Sequence, residues 1–143
     1  MATASRSQPL RGTRIVSLAL NLPGPAALMR LRALGARCLK IEPPGPQTPA
    51  GRALPGDPMG QYDIGAYSAL HEGIPVRQLD LKTEHGRQQL APELARADLL
   101  LTSFRPSALA KLGLGWRALH RACPALSVVE IVGAPGARAE EPG

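Results

Sequence analysis

Aromatic residues are nearly missing from this chain: one Trp, two Tyr and one Phe among 143 residues. The core must therefore be built from Leu, Val, Ile and Ala, and an aromatic base-stacking strip of the RNA-binding kind is excluded. Cysteine is scarce too. Cys38 and Cys123 lie far apart in apolar segments, which excludes a disulfide framework and predicts two buried free thiols, with no metal site. Acidic residues are absent before Glu42, although Arg6, Arg11, Arg14, Arg30, Arg32, Arg37 and Lys40 precede it, and the net charge is +6. A basic excess suits nucleic acid, an anionic membrane surface or a phosphorylated small molecule. With no zinc-finger spacing and no Lys/Arg-dense tail, nucleic acid is the poorest of these. No apolar run approaches the length that spans a bilayer, and "MATASRSQPLRG" lacks the apolar stretch of a secretory signal. The cytoplasm is the expected compartment, with no membrane partner. Neither G-x-G-x-x-G after the first strand nor a Walker loop is present.

What the chain does have is apolar runs alternating with amphipathic stretches. "RIVSLAL", Arg14 to Leu20, reads as a strand, and "NLPGP" breaks it, Pro25 suiting the first turn of a helix. "AALMRLRALGA" sets Leu28, Leu31 and Leu34 on one side and stops at Gly35. "RCLKIE" predicts a second strand, so this stretch is a βαβ unit with a parallel pair. Pro43 to Pro75 is rich in Pro and Gly and predicts a long loop, with a short helix over "AYSALHEG". "VRQLDLK" alternates Val76, Gln78 and Asp80 against Arg77, Leu79 and Leu81 as a third strand. Thr83 caps a helix reaching roughly Ala97.

Leu99 to Leu101 predict a buried fourth strand. The polar elbow "TSFRPS" ends it, Pro106 keeping Arg105 extended and Ser107 serving as N-cap for Ala108 onward. Helices to Leu112 and around "WRALHRAC" follow. "LSVVEIV" predicts a buried fifth strand, and "GAPGARAEEPG" is loop to the last residue. Residues 1–8 read as a disordered start and 9–143 as one segment. The fold class is α/β, a Rossmann-like, doubly wound, mostly parallel sheet. In such sheets the carboxyl ends of the strands form the ligand edge, which makes the elbow a candidate site. His71, His85 and His120 have no nucleophile–base–orienter set around them and read as solvated.

Several blocks carry a resemblance. "PLRGTRIVSLALNLPGPAALMRLRALGARCLKIEPPG", "LDLKTEHGR", "ADLLLTSFRPSALAKLGL" and the closing "EEPG" stand in order along Pro9 to Gly143. Together they resemble the family III CoA-transferases of the formyl-CoA and carnitine CoA-transferase type, and the related 2-methylacyl-CoA racemases. The resemblance implies coenzyme A as ligand along the strand ends, with contacts at Leu22 and Pro23, at Leu79 and Lys82, and at Ser103, Phe104, Arg105 and Lys111. The chemistry agrees: Lys82, Arg105 and Lys111 suit the phosphates of CoA, Phe104 offers an apolar face, and the elbow's N–H groups suit an anion. Ser103 stands where the family has Asn, Ser107 where it has Gly, and Pro43 where it has a basic residue.

The resemblance also implies chemistry. Transferases of the family use an Asp carboxylate that takes the acyl group as a mixed anhydride, frees CoA thiolate, and passes CoA to an acceptor acid. The racemases use a His and an Asp as opposed acid and base. In both, these residues follow the Pro-Gly block, here Pro142-Gly143. Asp57, Asp63, Asp80 and Asp98 are not at that position. The expectation is an inactive amino-terminal part of a transferase, its large domain incomplete, acting on acyl-CoA and a carboxylic acid in an interlocked homodimer when complete. A racemase-type fragment and a stand-alone CoA-binding module are the alternatives.

Overall fold

The computed structural model describes residues 6–141. Five strands form one sheet: β1 (Arg14–Ser17), β2 (Arg37–Glu42), β3 (Val76–Gln78), β4 (Leu99–Thr102) and β5 (Ser127–Glu130). Their order is β3-β2-β1-β4-β5, and every pairing is parallel. The α/β expectation is met. The chain winds outward from β1 to β3, then crosses back to place β4 on the other side of β1. Between β1 and β4 the winding reverses, which opens a crevice at their carboxyl ends.

Helix α1 (Pro23–Ala33) links β1 to β2, and α4 (Glu84–Arg96) links β3 to β4. Pro23 and Pro25 start α1, where their missing N–H groups are not needed. Thr83 caps α4 as expected, its hydroxyl accepting the Gly86 N–H at 3.0 Å. After the elbow come α5 (Pro106–Lys111) and α6 (Trp116–Ala122).

Side chains of successive strand residues enter opposite faces, and two cores result. Val16, Leu18, Ile41, Leu90, Leu94, Leu100, Leu109 and Leu119 fill one, under α4, α5 and α6. The other is smaller and holds Ile15, Ala19, Leu28 and Leu101 under α1. Gly24 is required at the start of α1, because a Cβ there would overlap the Cβ of Ala19.

Four expectations are corrected. The 43–75 segment holds two helices rather than one, α2 (Pro58–Tyr62) and α3 (Ile64–Leu70). Ser107 is not an N-cap: Arg105 holds that place with its backbone, and the Ser107 hydroxyl donates to Glu140 at 2.6 Å. Strand β5 is not buried. Val129, in register with Leu101, is 46% exposed, because α1 does not extend over that part of the sheet's second face. The final loop contains a 3-10 turn, Gly136–Glu140. The disordered start falls largely on residues 1–5, outside the described residues, and residues 6–8 carry no regular structure. Cys38 and Cys123 are free and half-buried; burial pushes the Cys38 thiol up to about 11, opposed in part by Arg32.

Candidate functional site

A cavity of about 520 Å³ opens at the carboxyl edge of the sheet on the side of the larger core. Leu18 after β1, Ile41 in β2, Leu79 and Leu81 after β3, and Phe104 and Leu112 around α5 give it an apolar lining. Lys82, Arg87 and Lys111 give it cations, and Glu42 and Asp80 are its acids. The strands supply much of this arrangement: the residues directly after β1, β2 and β3, which are Leu18, Pro43 and Leu79, turn into the cavity.

Of the eight expected contacts, Leu79, Lys82, Phe104 and Lys111 line this cavity. Leu22, Pro23, Ser103 and Arg105 do not. Leu22 is 56% exposed in the turn after β1. Pro23 begins α1, and Arg105 is exposed at the start of α5. The Ser103 hydroxyl is engaged elsewhere, accepting the Leu20 N–H at 2.9 Å. It ties the elbow to the β1 turn across the crevice. Arg87 was missed by the sequence reading. It sits one turn into α4 and donates from a guanidinium nitrogen to the Leu81 carbonyl at 3.0 Å. The signal was its spacing, five residues beyond Lys82 across a capped helix start. Asp80 orders the same loop, one carboxylate oxygen accepting the Lys82 N–H at 3.0 Å.

Beside the cavity lies a polar cluster buried in the protein. Lys40 and Asp57 are each 0% exposed and Glu42 is 2% exposed. The Lys40 ammonium pairs with the Asp57 carboxylate, lies 3.7 Å from a Glu42 oxygen and 2.9 Å from His71 Nε2. Tyr67 donates its hydroxyl to Glu42 at 3.0 Å, and Glu42 also accepts the Gly56 N–H at 3.1 Å. Asp57 accepts the N–H groups of Asn21 and Met59, both at 3.0 Å. Burial and the Glu42 charge push the Tyr67 phenol well up, so it remains a donor.

His71, expected to be solvated, is 7% exposed and stacks on Tyr67 with ring centroids 4.1 Å apart. His85 and His120 are exposed as expected. Nδ1 of His71 lies 2.6 Å from the Tyr67 carbonyl, so Nδ1 carries the proton and Nε2 accepts from Lys40. A second proton would set two donors against each other. Burial, aided by the Lys40 charge, holds the imidazole below its usual 6.5, against the pull of the Tyr67 carbonyl, Glu42 and Asp57. The unfolded chain therefore binds this proton first as pH falls. The contribution of neutral His71 to stability is complete above about 6.5, declines as pH drops below it, and levels off beneath the folded-state value. Denaturant midpoints measured from pH 7.5 to 5 are expected to fall more steeply for the parent than for His71→Gln. Parallel curves would show that His71 does not titrate in this way.

The sheet order and the parallel pairing define a Rossmann-like α/β unit, with a cation-rimmed apolar cavity at its carboxyl edge. The sequence profile of CoA-transferase family III matches residues 10–143. Succinyl-CoA–D-citramalate CoA-transferase of Chloroflexus aurantiacus is 30% identical over 140 residues, covering 93% of this chain and 33% of its own length. Probable fatty acyl-CoA transferase Rv3272 of Mycobacterium tuberculosis is 32% identical, covering 100% of this chain and 36% of its own length. The crystal structure of that Rv3272 protein superposes with a TM-score of 0.80 at 30% identity, over 98% of this chain and 37% of the other. A CAIB/BAIF family protein from Brucella suis superposes with a TM-score of 0.75 at 29% identity, over 96% of this chain and 37% of the other. This chain belongs to CoA-transferase family III. It spans about a third of the length of these relatives.

No helix among the described residues is long and apolar enough to cross a membrane. No group of three or more His, Cys, Asp and Glu among them is arranged to hold a metal ion.

Proposed function

We propose that this chain is the CoA-binding part of a family III CoA-transferase, which moves CoA between carboxylic acids through an anhydride on an enzyme carboxylate. The cavity between β1, β3 and α5 carries the reading. Its apolar lining suits the adenine and the start of the pantetheine arm, and Lys82, Arg87 and Lys111 suit the phosphates. The substrates are an acyl-CoA and an acceptor acid. An interlocked homodimer, as the family resemblance implies, completes the reading.

The carboxylate that carries the anhydride lies outside this chain in our reading, since each aspartate that could compete for the role has other work. Asp57 is buried and saturated with donors. Asp63 caps α3, accepting the Ala66 N–H at 2.9 Å. Asp98 accepts the Arg14 N–H at 2.8 Å, at the amino end of the sheet and away from the cavity. Asp80 borders the cavity but holds the Lys82 N–H.

Calorimetric titration with CoA tests the binding. Lys111→Ala is expected to weaken it by about 1–3 kcal/mol. Arg105→Ala, outside the cavity lining, is expected to weaken it by less than about 1 kcal/mol. Unchanged affinity in Lys111→Ala would remove the cavity from the account.

A further inference from the structure

We propose that Asp57 is a positioning residue for CoA binding: its buried carboxylate, anchored by Lys40, fixes the shape of the turn after β1. The proposal rests on the CoA reading of the crevice. The turn concerned runs from Leu18 into α1 at the point where the sheet's winding reverses, and it carries Leu22 and Pro23. Asn21 at its centre has φ +63°, a left-handed conformation that Asn adopts more readily than most residues with a side chain. Two contacts from distant parts of the chain hold it there. The Ser103 hydroxyl accepts the Leu20 N–H, and Asp57 Oδ1 accepts the Asn21 N–H.

Capping does not account for a buried carboxylate at Asp57. Its Oδ1 caps the five-residue helix α2 through the Met59 N–H, and a serine hydroxyl caps a helix as well without a charge to bury. What the carboxylate adds is reach. Oδ1 spans to the Asn21 N–H, 36 residues away in sequence, while Oδ2 takes the fully buried Lys40 ammonium. Lys40 in turn stands on β2, so the turn is referred to the sheet itself. Of the excursion after β2, only Pro43 reaches the cavity lining; Gly56 and Tyr67 hold the lining residue Glu42, and Asp57 reaches the turn after β1. The ion pair thus serves geometry, holding the turn in register with the sheet.

A matched pair of double variants separates positioning from folding. Lys40→Met with Asp57→Asn and Lys40→Met with Asp57→Ser remove the same two charges, and both leave an α2 cap. Only the asparagine retains an oxygen that reaches Asn21. The asparagine variant is expected to bind CoA within about threefold of the parent, and the serine variant at least about tenfold more weakly, the scale of one orienting hydrogen bond. Equal affinity in the two variants overturns the proposal. Amide exchange in the parent gives a second measurement that needs no variant. The Asn21 N–H belongs to an exposed residue, yet it is expected to exchange as slowly as the buried Met59 N–H; exchange at the free-peptide rate overturns the proposal as well. A parent that does not bind CoA refutes the CoA reading itself, and slow Asn21 exchange would still uphold the grip of Asp57 on the turn.

Discussion

Lys40→Met is expected to lower the unfolding free energy by about 3–5 kcal/mol, the loss typical when one member of a buried ion pair is removed. The side chain is fully buried, and its ammonium serves Asp57, His71 and Glu42 at once. Methionine matches its length and leaves little cavity, so the loss is electrostatic. Asp57 would keep the Asn21 and Met59 N–H groups but lose its cation in a site closed to water. Stability of a small domain is about 5–15 kcal/mol, so the variant sits near the edge of folding. Adding Asp57→Asn removes one of the two stranded carboxylate charges, leaving Glu42, and is expected to restore part of the loss, a non-additivity that marks direct coupling. Urea denaturation with unchanged slope is the measurement. A Lys40→Met midpoint shift equivalent to less than about 1 kcal/mol would mean that the pair behaves as a surface salt bridge.

The parallel βαβ pattern was legible because local signals agreed with the global fold. Short Leu/Val/Ile runs ended in Gly or Pro, and Thr83 capped a helix where its spacing said it should. The polar hub was not legible. A lysine in "CLKIE" reads as a residue on the solvated side of a strand, and nothing local to it announces a carboxylate that returns 17 residues later. The same blindness hid α2 and the burial of His71. Each depends on the 43–75 segment folding back on β2, and Pro and Gly content reports only that the chain turns. Val129 was expected to be buried because apolar runs report propensity; the extent of the covering helix decides exposure, and α1 is short of β5, whereas Val128 packs against the larger core on the other face. Leu79, Lys82, Phe104 and Lys111, named from the family blocks, line the cavity, the first two after β3, Phe104 after β4 and Lys111 at the end of α5. Ser103 was read as a ligand contact, whereas its hydroxyl faces the β1 turn, a partnership between residues 83 apart that no motif records.

Removing Lys82 and Lys111 together is expected to weaken CoA binding by about 3–6 kcal/mol, if each charge-assisted contact contributes roughly 1.5–3 kcal/mol. The loss amounts to a factor of about 150 or more in affinity. Both residues line the same cavity, one in the loop after β3 and the other at the end of α5, so a polyanionic ligand that enters can engage both. The protein's net charge of +6 would attract any polyanion, and a control of equal charge separates that general pull from local contact. Arg30→Ala with Arg121→Ala removes the same two charges from exposed helix positions outside the cavity, and is expected to change affinity by less than about 0.5 kcal/mol. Ionic strength gives a second reading: parent binding should weaken steadily with salt, as screened charge pairs do, and the Lys82/Lys111 variant should show a flatter dependence. Equal losses in the two double variants would mean that CoA is drawn by net charge alone, and the cavity would then have no privileged part in holding it.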